Sequence, residues 1–199
     1  MIVKLKIVVI LRERRINNMK GIYLGACRAY HPNFNLDYND VVSGYHINVI
    51  CDMLTVDLSN YDCVIATPPC NYYSRCNYRR DVSKYALDTK HLLPDCIIKC
   101  FNSGKPFIVE NVRNSTIFKE QGIYDLCNKL GVFVYEYGRH TYFTNIMFEP
   151  RCCIQRQDFL NGGVRIKYND EQSKYNQGGF NVHNVIDWWL TVVEGLLND

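Results

Sequence analysis

The chain lacks a strong charge of either sign, a Cys-x-x-Cys pair, a long apolar run and an internal repeat. A formal net charge of only +3 rules out a coat that binds nucleic acid by bulk charge and leaves room for a local basic stripe. The longest aliphatic stretch, Ile7-Val8-Val9-Ile10-Leu11, is far too short to cross a bilayer. Arg12-Glu13-Arg14-Arg15 follow it, whereas a signal peptide carries its charges first and ends in small residues. No membrane partner is expected, and a reducing cytoplasm is the default compartment. There are ten cysteines, yet Cys152 and Cys153 are adjacent, which suits one tetrahedral zinc poorly. Cys63, Cys96 and Cys100 lie inside apolar runs, where a free thiol acts as a small hydrophobe. A chain of 199 residues is also larger than the secreted domains that depend on disulfides. Neither a disulfide scaffold nor a metal site is expected. Gly162-Gly163 and Gly178-Gly179 are too few to make a repeat. A hydrophobic content of 47% excludes a disordered chain.

What is present begins with a buried strand that ends in a thiol. Val64, Ile65 and Ala66 show no polar alternation, as in a parallel strand covered on both faces. Pro68 and Pro69 stop it, since neither can donate to a sheet ladder. Cys70 therefore stands just past the carboxyl end of a central strand, the edge where open α/β sheets bind ligands. It reads either as an ordinary loop cysteine or as a nucleophile. A second buried strand, residues 107–112, follows the Gly104-Lys105-Pro106 turn and carries Glu110 near its end. Between them, Leu93, Ile97, Cys100 and Phe101 share one face of a helix over residues 87–102, which Pro94 either starts or kinks. Strand, helix, strand is a right-handed parallel crossover, and it brings Cys70 and Glu110 to one sheet edge.

The rest of the chain fits around this unit. Ile22-Tyr23-Leu24 is a first strand, turned by Gly25-Ala26-Cys27. Residues 28–35 contain Pro32 and two asparagines and read as a loop rather than a helix. That loop is a plain surface segment, an altered cofactor floor, or an aromatic and basic platform near DNA. Residues 46–52 read as a strand ending in Asp52. Past Cys70 come Asn71, Tyr72, Tyr73, Ser74, Arg75, Tyr78, Arg79 and Arg80. Such a run is a solvated face, or it tracks phosphates and stacks on bases. Residues 123–130 read as a helix ended by Gly131, and residues 132–136 as a strand, with Arg139 just beyond. A terminal helix over residues 185–197 puts Ile186, Trp189, Leu190, Val193 and Leu197 on one side.

At these motifs the chain resembles the DNA (cytosine-5) methyltransferases, in particular the compact members encoded by bacteriophages. The family's Pro-Cys-Gln-x-Phe-Ser block is similar to Pro69-Cys70-Asn71-Tyr72-Tyr73-Ser74, and its Glu-Asn-Val block stands as Glu110-Asn111-Val112. The Gln-x-Arg-x-Arg block keeps only Arg139, with Thr141 in place of the second arginine. The Phe-x-Gly-x-Gly block is reduced to Tyr23-Leu24-Gly25-Ala26-Cys27, with Cys27 replacing the second glycine. The resemblance covers residues 21–146. It implies a Rossmann-like class I methyltransferase fold, mostly a parallel sheet flanked by helices, with a short loop-rich target-recognition region. It further implies Cys70, Glu110 and Arg139 as catalytic residues, and S-adenosylmethionine held by Tyr23, Gly25, Asp52 and Pro68. Asp52 would accept from the adenine amino group, or else is a solvated turn residue. Asp37 or Asp40 would stand in for the ribose ligand. Asn71, Ser74, Arg75, Arg79, Arg80 and Asn111 would face double-stranded DNA carrying a flipped cytosine. A cation or aligned N–H groups would lower the Cys70 pKa.

The expected division is an N-terminal extension over residues 1–18, with Met19 a possible start, and a catalytic domain over 19–147. A recognition region over 148–183, with Arg151, Arg156, Arg165, Lys167 and Lys174 among its polar residues, and a C-terminal helix over 184–199 complete it. A monomer is expected. Two other readings stand beside the methyltransferase: an inactive DNA-binding relic, and a pyrimidine-modifying enzyme with another one-carbon donor.

Overall fold

The computed structural model describes residues 19–137, 139–148 and 182–198. The expected N-terminal extension and most of the expected recognition region lie outside these residues. Seven strands form one sheet: β1 (Gly21–Leu24), β2 (Leu36–Asp40), β3 (Val49–Ile50), β4 (Cys63–Ala66), β5 (Phe107–Val112), β6 (Phe133–Tyr137) and β7 (His140–Thr144). Their order is β3-β2-β1-β4-β5-β7-β6. The first five pair in parallel, and β7 runs antiparallel to both β5 and β6. This is the expected Rossmann-like α/β sheet. Strand order reverses between β1 and β4, so the crevice beyond their carboxyl ends is the topological switch point where such sheets bind ligands.

The helices are α1 (Lys84–Thr89), α2 (Leu92–Asn102), α3 (Ser115–Glu120), α4 (Ile123–Leu130) and α5 (Val182–Asn198). The expected helix over residues 87–102 is divided at residues 90 and 91. Pro94 falls in the first turn of α2, where its missing N–H has no helical acceptor to lose. The buried face of α2 is Leu93, Cys96, Ile97 and Cys100, while Phe101 turns outward. With residues of α3 and α4 that face covers Val64, Ala66, Phe107, Val109 and Phe143. Alone among the described helices, α5 covers the opposite side of the sheet. Val185, Ile186, Trp189, Leu190 and Val193 pack on Tyr23, Ile65, Ile108 and Tyr142. Trp189 Nε1 donates to Thr144 Oγ1 at 3.1 Å. Leu197, expected on this buried side, is exposed because the last turn runs past the sheet.

No helix joins β1 to β2, in keeping with the loop expected there. His31, buried within that loop, meets Asp187 of α5 at 2.5 Å and so ties the segment to the helix that covers this face. Strand β2 was not foreseen. Its Leu-Asp-Tyr-Asn-Asp sequence looks like a turn, but buried Asn39 serves the sheet. Its Nδ2 donates to the carbonyls of Val49 and Cys51 at 3.0 and 2.9 Å, and of the strand expected over 46–52 only the two residues of β3 pair as strand.

Candidate active site

The path of the chain after β4 is set by ties at both ends. All four β4 residues are fully buried. Thr67 continues the sheet edge: its N–H donates to Leu24 O at 2.9 Å and its Oγ1 to Gly25 O at 2.8 Å. At Pro68 the carbonyl, which no sheet partner uses, accepts from Asn111 Nδ2 at 3.0 Å. Tyr72 and Tyr73 then turn into the core. Tyr73 donates from its hydroxyl to Lys90 O at 2.6 Å, and its own carbonyl accepts from Asn114 Nδ2 at 2.7 Å. Cys70 is left half-buried between these anchors, with Ser74 N–H closing a turn onto its carbonyl at 2.8 Å.

Glu110 arrives from the neighbouring strand. Val64–Ala66 of β4 pair in parallel with Phe107–Val109 of β5, so both strands end at one rim. The Glu110 side chain is 12% exposed and its Oε1 lies 2.5 Å from His140 Nδ1. Antiparallel register explains the pair. His140 stands opposite Val112, two residues from Glu110, so the pleat puts both side chains on one face as diagonal neighbours. The Cys70 thiol is pushed above its ordinary range, first by burial and then by the negative charge of Glu110. This corrects the expected lowering: among the described residues no cation pulls the thiol down, and a carboxylate faces it. Tyr23 is also pushed up, by burial and then by Glu110. Thiol, carboxylate and phenol thus share one electrostatic neighbourhood.

The structure sorts the other expected site residues. Arg139 is exposed in the turn between β6 and β7, at the rim where β5 ends, and its carbonyl accepts from Arg113 N at 2.6 Å. Asn111 is buried and directs its amide inside the protein, to Pro68 and to Val112 N–H at 3.0 Å. Asn71, Arg75 and Arg79 are exposed, as is Tyr78 at 94%. Ser74 is partly buried, its Oγ accepting from Cys76 N at 3.3 Å. Arg80 folds back onto its own loop: Nη2 donates to Ser74 O at 3.1 Å and Nε to Asn77 O at 3.2 Å. Tyr72 and Tyr73 are core residues rather than stacking platforms.

On the cofactor side, Gly25 has φ +66°, and a Cβ there would meet Met53 Cε at 2.4 Å and Thr67 O at 2.9 Å. Its role is therefore a left-handed turn pressed against the β4 end. Cys27 keeps a left-handed backbone at φ 52°, a conformation that favours glycine. Asp40, at the end of β2, accepts from Cys27 N at 2.9 Å and stands beside that turn. Asp37 lies toward the other end of β2 and is held by Lys20 at 2.9 Å, by Asn48 and by Tyr61. Of the two acidic candidates, only Asp40 is at the ligand edge. Asp52 is exposed and accepts from Leu54 N at 2.8 Å, closing its own turn. Pro68 is buried. Sequence reading missed two residues here. His140 meets Glu110 only through the β5–β7 register, whereas Asn114, just after Glu-Asn-Val, is a helix cap that its residue type signals. Among the described residues no cluster of three or more His, Cys, Asp or Glu is placed to hold a metal.

Fold and site together describe a Rossmann-like α/β protein with a thiol and a carboxylate at its switch point. No protein-family model matches the chain, and no curated protein matches it. Among solved structures it is similar to the crystal structure of S. pombe Dnmt2 methyltransferase, at TM-score 0.38 and 13% identity, over 77% of this chain and 58% of that one. The chain therefore spans less than two thirds of that protein's length. A likeness of this degree identifies neither a family nor a substrate.

Proposed function

We propose that this protein is a DNA cytosine-5 methyltransferase, acting on a cytosine turned out of the duplex through a covalent adduct of Cys70 at C6. The observation that carries the reading is the 3.0 Å bond from Asn111 to Pro68, which fastens the loop bearing Cys70 to the strand bearing Glu110. Position 5 of cytosine is a poor nucleophile. Addition of the Cys70 sulfur to C6 pushes an electron pair toward N3, and a proton from Glu110 meets it there, leaving C5 electron-rich. Burial and the negative charge of Glu110 hold the Cys70 thiol above its ordinary range, so the thiol gives up its proton to solvent as the sulfur adds. Once C5 has been alkylated, its proton passes to solvent, the freed electron pair expels the sulfur, and N3 returns its proton to Glu110.

S-adenosylmethionine, when bound, supplies the methyl group. The donor set at the carboxyl ends of β1 to β3 fits its nucleoside: Asp40 suits ribose hydroxyls, and Asp52 an exocyclic amine. Arg139 in the rim turn would grip the base, and exposed Arg75 and Arg79 would contact phosphates. The test is nucleoside analysis of DNA from cells expressing the protein, with Cys70→Ser as control. 5-Methylcytosine in the first and none in the second is expected. Its absence from wild-type DNA, with folded protein present, would overturn the reading.

A further inference from the structure

The addition step requires a proton on Glu110, and a carboxyl group at neutral pH does not ordinarily carry one. Glu110 nevertheless has a basic partner built into the sheet. His140 Nδ1 lies 2.5 Å from Glu110 Oε1. The two side chains are mostly buried, the imidazole 23% exposed and the carboxylate 12%. Both stand on strands of the same sheet, so their separation is set by backbone pairing and not by a mobile loop. Tyr137 stands directly opposite His140 in the β6–β7 register. Cys70 and Tyr23 each feel the Glu110 charge. Arg113 is bound to Glu136 at 2.7 Å. Arg139 is exposed in the adjoining turn, and Tyr142, opposite Glu110 in register, is packed under α5.

We infer that His140 is a positioning residue for the pyrimidine chemistry: it fixes the Glu110 carboxyl group at the rim and stores the proton that Glu110 passes to the ring nitrogen. This deepens the proposed function and rests on it. The proton balance is closed. Before addition one proton lies between His140 Nδ1 and Glu110 Oε1, and the Cys70 thiol gives its own proton to solvent. As the Cys70–C6 bond forms, the shared proton passes through the carboxyl group to N3, leaving neutral His140 beside the Glu110 carboxylate. When the sulfur leaves, N3 returns the proton along the same path. The net charge of the pair falls by one as the adduct forms and rises by one as it breaks down.

His140→Gln keeps a polar side chain but cannot carry the proton. With wild type first shown to transfer methyl groups in a Cys70-dependent way, His140→Gln is expected to lower kcat about 10²-fold, within the range of general acid–base effects, with KM for DNA little changed. Its loss should deepen as pH rises, because Glu110 must then take its proton from solvent. A purely structural role would lower the rate equally at every pH. Since His140 acts only through Glu110, the double variant with Glu110→Gln should be no slower than Glu110→Gln alone. A parallel pH profile, or additive losses, overturns the inference while leaving the methyltransferase reading intact. A readout free of activity covers the opposite case. The proton between His140 and Glu110 should give a far-downfield resonance in substrate-free protein that is lost in Glu110→Gln. Its absence from wild type, or its survival in that variant, overturns the pairing whether or not the protein methylates DNA.

Discussion

Replacing Asn111 with alanine separates two accounts of the Glu-Asn-Val segment. If the residue met DNA, the substitution would weaken DNA binding and spare the fold. The structure gives it another role: one end of a buried bond to Pro68 O, with its other amide atom engaged by Val112 N–H. Truncation removes that bond and leaves the Pro68 carbonyl without a partner. The cost of orphaning such a group is about 1–3 kcal/mol. For a domain of this size about 2 kcal/mol lowers Tm by about 6 °C. Cys70 lies two residues beyond Pro68, so the same change loosens the thiol relative to Glu110. A misplacement on the order of 1 Å slows a positioned reaction about 10²-fold. The assays are urea or thermal unfolding and the rate of covalent trapping on an oligonucleotide carrying 5-fluorocytosine. Lower stability, slower trapping and unchanged DNA affinity are expected together. Unchanged stability with weakened DNA binding would refute the structural account.

Other outcomes test the remaining links. Burial and Glu110 raise the Cys70 pKa, so its alkylation by iodoacetamide, followed by peptide mass spectrometry, should become fast only above the ordinary thiol range. Glu110→Gln removes a negative charge and should move that rise to lower pH, whereas exposed Cys27 and Cys76 should be unaffected. Trp189→Ala removes the largest fully buried side chain under α5 and its bond to Thr144, and should cost about 3–5 kcal/mol in denaturant unfolding. Arg75→Ala and Arg79→Ala should each reduce the salt dependence of DNA binding by about one unit of slope. Arg80→Ala should instead loosen the loop, because its guanidinium is spent on Ser74 and Asn77.

The sequence by itself determined the strands that end in Cys70 and Glu110, because an apolar run stopped by two prolines and another entered from a glycine turn are local features. It determined the crossover between them, the missing helix after β1 and the buried stripe of the last helix, all from periodicity and breakers. Only the tertiary structure decided what the polar residues do. Asn111 reads as a DNA-facing residue and Asn39 and Asn114 carry no such signal, yet each is buried and ties backbone from distant segments, which no local pattern encodes. The same holds for β2, whose polar residues make a strand because β1 and β3 offer partners. His140 meets Glu110 because an antiparallel strand returns beside β5 in one register, and a shift of one residue would point it to the other face. Composition and spacing fix the apolar strands and the amphipathic helices. Side-chain roles depend on what the other elements bring within hydrogen-bond reach, and that is a property of the assembled sheet.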